Sequence, residues 1–94
     1  ETRSNVVAEN TMNFHKLFPV PTESELNIQL ESSQDQSAQV LILDSRGAVM
    51  VSQTVGLFTG QNTLTFDVSQ LGAGFYFLSI PTNGIYQKFL KSNL

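Results

Sequence analysis

The chain has no cysteine and no tryptophan in its 94 residues, and it holds a single histidine, His15. Without cysteine there is no disulfide framework, no thiolate nucleophile and none of the usual zinc sets, which draw on Cys or on several His. Basic residues are scarce as well: five Lys and Arg stand against eight Asp and Glu, for a net charge of -3. So few cations, spread along the chain, cannot neutralise a run of phosphates, and this argues against nucleic acid as a partner. No apolar run approaches the ~18 residues needed to span a bilayer as a helix. The start, Glu1-Thr2-Arg3-Ser4, shows neither an initiator methionine nor the basic and then apolar stretch of a secretion leader, so the sequence reads as a piece of something longer.

Catalytic groups are equally thin. A nucleophile and base built on His15 would need a Ser or Thr and an orienting acid, and no local motif supplies them. Glu31 and Asp35 share a polar stretch but lack the dense carboxylate spacing of a calcium loop. Glu23 and Glu25 fall on alternate residues of an outward-facing strand, an arrangement without the cleft that a pair of glycosidase carboxylates requires. We therefore expect a non-enzyme with no cofactor and no metal site.

What the chain does have is alternation. A hydrophobic fraction of 40% and a charged fraction of 14% suit one globular domain. Residues 1–13 show no sustained period and read as a linker or a loosely held segment, with the domain proper over 14–94. Phe14 to Val20 reads as an edge strand or an extended lead-in, since Pro19 and Pro21 deny ladder donors. Leu26, Ile28 and Leu30 alternate with polar neighbours, as do Leu64, Phe66 and Val68, so both stretches predict half-buried strands. Ala38 to Leu43 and Ala48 to Thr54 form a hairpin about Asp44-Ser45-Arg46-Gly47, a turn with Asp first and Gly fourth. Glu31 to Ser37 and Gly56 to Asn62 read as loops, and Asp67 to Leu71 as one helical turn that drops Leu71 into the end of the core. About seven short strands without helical period predict an all-β fold, an immunoglobulin-like antiparallel β-sandwich.

The last third predicts a second hairpin, Phe75 to Ile80 against Ile85 to Leu90, closed by Asn83-Gly84 as a two-residue type I′ turn. That turn sets Ile80 opposite Gln87, Leu78 opposite Phe89 and Tyr76 opposite Lys91. One face then carries Tyr76, Leu78, Ile80, Ile85 and Phe89 and should meet the core. The other carries Phe75, Phe77, Ser79, Tyr86, Lys88 and Leu90, which is too apolar for a solvated surface. Phe75, Phe77, Lys88 and Leu90 are its candidate partner patch. Taken alone, Lys88 and Lys91 also suit gatekeepers on an edge strand.

Taken in series, these signals resemble a known family. The order Phe18-Pro19-Val20-Pro21, Leu26 to Ile28, Leu43-Asp44 with Gly47, Gly60-Gln61-Asn62, Leu71 with Gly74-Phe75-Tyr76-Phe77-Leu78, and Lys88-Phe89-Leu90-Lys91 is similar to the C-terminal sorting domain of the type IX (Por) secretion system of Bacteroidetes. The family usually has Pro-Asn-Pro where Pro19-Val20-Pro21 stands. By position, the residues that match its pattern are Pro19, Pro21, Gly47, Gly60, Asn62, Leu71, Gly74, Tyr76, Lys88 and Lys91.

The resemblance implies a folded secretion signal. It would send an attached cargo from the periplasm through the outer-membrane type IX translocon to the cell surface or beyond. A sortase-like cysteine protease would then remove it and join the cargo to anionic lipopolysaccharide. Most of the matching positions would specify the fold, leaving the terminal segment as the recognition epitope. Two other readings follow from the residues alone: an accessory carbohydrate-binding sandwich, which Phe75, Phe77 and Tyr86 support and the absence of Trp weakens, and a surface adhesion module. Self-association would also cover the apolar face.

Overall fold

The computed structural model describes residues 12–92, in which the alternating segments become seven strands: β1 (Met12–Phe18), β2 (Glu25–Ser32), β3 (Gln36–Asp44), β4 (Val49–Leu57), β5 (Gly60–Asp67), β6 (Gly74–Ile80) and β7 (Ile85–Lys91). They form two antiparallel sheets, ordered β1-β2-β5 and β4-β3-β6-β7. This is the immunoglobulin-like sandwich that the pattern predicts, with the fourth strand joined to the larger sheet. The linker expected over residues 1–13 lies outside the described residues except for Met12 and Asn13. Those two belong to β1, and Met12 is buried.

The inward faces follow the period of two. Leu26, Ile28 and Leu30 of β2, Val40 and Ile42 of β3, Phe66 of β5, Tyr76, Leu78 and Ile80 of β6 and Phe89 of β7 make one core between the sheets. Each such side chain contributes about 1.5–3 kcal/mol by leaving water. Leu71 joins them from the connection between β5 and β6. That connection is a hydrogen-bonded turn, with Leu71 N–H donating to the Val68 carbonyl at 3.0 Å, rather than the helical turn expected from sequence. Glu23 precedes β2 rather than lying on it, and both Glu23 and Glu25 are exposed.

Two expected loops shrink. Glu31 and Ser32 end β2, and Gln36 and Ser37 begin β3, because buried Ser32 gathers the bend around itself: its hydroxyl donates to the Gln34 carbonyl at 2.6 Å and accepts from the Gln36 amide at 2.8 Å. Gly56 and Leu57 belong to β4 and Gly60 to Asn62 to β5, which leaves Phe58 and Thr59 as the turn.

The β6–β7 hairpin forms in a different register from the one a type I′ turn would set. Ile80 faces Ile85, Leu78 faces Gln87 and Tyr76 faces Phe89. Pro81–Asn83 make a 3-10 turn instead, capped by Gly84, whose N–H reaches the Pro81 carbonyl at 3.2 Å and whose φ of +69° is the left-handed conformation. The change is an even number of residues, so each side chain keeps its face. Tyr76, Leu78, Ile80 and Phe89 are buried, whereas Phe75 and Tyr86 point outward.

Candidate functional site

Most positions of the sequence pattern turn out to brace corners. In the β3–β4 turn the Asp44 carboxylate accepts from the Arg46 and Ala48 N–H groups, each at 2.9 Å, and Gly47 follows with φ +90°, where a side chain would be strained. Asn62 is buried at the start of β5. Its amide accepts from Phe58 N–H at 3.0 Å and donates to the carbonyls of Phe58 (2.8 Å) and Gly60 (3.0 Å), so the β4–β5 turn is wrapped on one side chain. Asp35 ties that turn to the neighbouring β2–β3 bend by accepting from the N–H (2.8 Å) and hydroxyl (2.9 Å) of Thr59. At the β5–β6 corner Leu71 is buried, Gly74 opens β6, and the Tyr76 hydroxyl donates to the Gly72 carbonyl at 2.7 Å. A tyrosine bonded to the backbone a few residues upstream is the corner device of immunoglobulin-like domains.

Pro19 and Pro21 lie in the connection between β1 and β2, and both follow cis peptide bonds. They set up Thr22, which is wholly buried and forms a parallel bridge to Lys91 at the free edge of β7. Thr22 N–H donates to the Leu90 carbonyl at 3.0 Å, Ser92 N–H donates to the Thr22 carbonyl at 2.7 Å, and the Thr22 hydroxyl donates to the Glu25 carbonyl at 2.6 Å. One residue thus fastens β7 to the start of β2. Lys91 is not an exposed gatekeeper: it is 2% exposed, and its ammonium donates to the Ser92 carbonyl at 3.1 Å. Lys88 and Lys91 therefore differ in kind, since Lys88 is solvent-exposed.

Phe75, Phe77, Lys88 and Leu90 lie on one face of the β6–β7 hairpin. On the outer face of the four-stranded sheet Phe75 pairs with Leu90 and Phe77 with Lys88. The Lys88 ammonium stands 4.4 Å from the centre of the Phe75 ring, and Phe77 stacks on Tyr86 with centroids 5.0 Å apart. Phe75 is 51% exposed and Tyr86 55%. Sequence reasoning missed that the patch continues inward across the sheet. Leu43 faces Phe77 and also Val49, and Leu41 faces Ser79, so Leu41, Leu43 and Val49 share the outer face. The signal was available in Ala38 to Leu43, a strand apolar at successive positions and hence on both faces.

The outer face of the other sheet is the opposite in character. Asn27, Gln29 and Glu31 of β2 face Thr65, Thr63 and Gln61 of β5, and the Thr65 hydroxyl donates to the Asn27 side-chain oxygen at 2.7 Å. His15 is exposed on β1, with its imidazole 3.7 Å from the Glu31 carboxylate. Among the described residues no group of three or more His, Asp or Glu is placed to hold a metal ion.

Two antiparallel sheets packed on one core, with the pattern residues bracing their corners, define an immunoglobulin-like β-sandwich. Residues 16–92 of the chain match the secretion system C-terminal sorting domain, and the chain belongs to that family. No curated protein sequence matches it at a significant level. Membership makes this domain the sorting signal of type IX secretion, one that engages the secretion machinery and sends what it is attached to out to the cell surface or the extracellular space. The family is one of signals, not of catalysts.

Proposed function

We propose that the outer face of the β4-β3-β6-β7 sheet, centred on Phe75, Phe77, Lys88 and Leu90, is the surface by which the outer-membrane type IX translocon reads this domain. One observation carries this reading: an apolar face in which Lys88, lying over Phe75, is the one charge among the described residues. Such a face on a small domain is costly to leave in water and suits a partner. The remaining pattern residues, Pro19, Pro21, Gly47, Gly60, Asn62, Leu71, Gly74, Tyr76 and Lys91, serve the fold that presents it. In this reading the cargo crosses the periplasm with the domain attached through the residues that precede β1. Once outside, a sortase-like cysteine protease removes the domain and joins the cargo to anionic lipopolysaccharide.

The test is a double substitution. Phe77→Ser with Lys88→Glu changes only side chains on the outer face, so the melting temperature of the 94-residue chain should stay nearly unchanged. Surface export of a fused periplasmic reporter, in a bacterium that has the system, should be abolished. Export that survives with folding intact would move the recognition surface elsewhere on the sandwich.

A further inference from the structure

The free edge of β7 is not a bare boundary, because part of it is already in use. Thr22 pairs with it in parallel, taking the Leu90 carbonyl and the Ser92 N–H. Those two bonds fix which backbone groups of β7 point away from β6. In a regular ladder they alternate, so the N–H and C=O of Tyr86 and Lys88 also point outward, while Gln87 and Phe89 pair inward with β6. β7 is the end strand of its sheet, and among the described residues no strand pairs with this outward row before Thr22 is reached. The stretch is flanked on the outer face by Tyr86, stacked on Phe77, and by Lys88.

The three other edges are unlike it. β1 is broken by a register shift between Phe14 and Lys16, β5 presents Gln61, Thr63, Thr65 and Asp67, and the middle of β4 presents Ser52, Gln53 and Thr54. A bulge and polar side chains are the usual means of blunting an edge against pairing. On β7 the aromatic residues beside the edge do the reverse.

We propose that β7 is a strand-acceptor site. An extended segment of the secretion machinery adds to its edge at Tyr86–Lys88, continuing the line of Thr22, with apolar side chains against Tyr86 and Leu90 and a carboxylate beside the Lys88 ammonium. Main-chain bonds supply affinity in this mode and the flanking side chains supply selectivity. The inference rests on the apolar face being the recognised surface and states how that surface is engaged. A bilayer fits less well, since among the described residues Lys88 is the only cation on the face, and anionic membranes are held by clusters of several cations.

Proline separates the edge from the face. At Tyr86 or Lys88 it removes an outward N–H and leaves the β6 ladder intact. Lys88→Pro and Tyr86→Pro, with the fold retained by circular dichroism, should each export a fused reporter at least tenfold less than Lys88→Ala and Tyr86→Ala, which lose the same side chain but keep the outward N–H. Full export by both folded proline variants would overturn the strand-acceptor site while leaving the face reading standing, and loss in the Phe77→Ser, Lys88→Glu variant alone would show that pattern. If the proline variants fail to fold, a photoreactive side chain at Gln87, within the edge, decides. Adducts formed during export should join the domain to a component of the outer-membrane secretion complex. An adduct with a second copy of the domain, with the chain's own N-terminal residues, or none at all, would overturn the proposal.

Discussion

Tyr76 shows how much a single side chain contributes here. Its ring lies in the core 5.9 Å from that of Phe89, while its hydroxyl holds the Gly72 carbonyl and so shapes the entry to β6. Alternation made the buried ring legible in the sequence; the hydroxyl's partner was not, because it is a main-chain group at a bend whose path no local pattern dictates. Phe66 is the plainer case, read as inward from the period of two in Leu64-Phe66-Val68 and found 3% exposed. Phe66→Ala should therefore cost about 3–5 kcal/mol, the usual toll for emptying an aromatic site in a packed core. Urea unfolding monitored by the tyrosine signal checks this, and an unchanged midpoint would place Phe66 outside the core. Lys91 went the other way. A lysine beside the polar Ser92-Asn93 reads as exposed by its chemistry, yet it shares the inward face of β7 with Phe89, pairs with Thr22 and is buried.

Strands were legible where their two faces differ in polarity, and their ends were not. Polar residues at Glu31 to Ser37 look like loop, yet Ser32 is buried because its own hydroxyl bonds satisfy the bend. The β6–β7 hairpin makes the same point about turns. Asn83-Gly84 advertises a type I′ turn, but Pro81 fixes a φ suited to a 3-10 turn, and Gly84 then serves as its left-handed cap. The register differs from the type I′ expectation by two residues, so the same side chains share each face. Gly84→Ala should destabilise the chain by about 1–2 kcal/mol, the cost of a side chain in the left-handed region. The open space around Gly84 excludes a steric clash as the cause. Stability equal to wild type in thermal melts would mean that the turn relaxes to another form.

Across the whole molecule, three aspartates at separate corners hold connections together, and this gives the sandwich a definite response to acid. Asp35 is held below the ordinary aspartate range by the Thr59 N–H and then the Thr59 hydroxyl. Asp44 is lowered first by the Ala48 N–H and then by the Arg46 guanidinium, and Asp67 first by the Ser69 hydroxyl and then by the Ser69 N–H. All three therefore release their protons more readily folded than unfolded. The stability they confer is fully present above the unfolded value of about 3.9, and it is lost as pH falls through the lower folded values. The urea midpoint should accordingly be flat between about pH 5 and pH 7 with respect to these groups, and it should decline below about pH 4. Relief of the net charge of -3 acts in the opposite direction as the carboxylates protonate, but it is spread over the surface and screened by salt. Replacing all three, Asp35→Asn with Asp44→Asn and Asp67→Asn, should lower the midpoint at pH 6 and flatten the decline towards pH 2. A wild-type midpoint that rises on acidification would show that charge repulsion outweighs the corner bonds, and that these corners do not hold the sandwich in the way their geometry indicates.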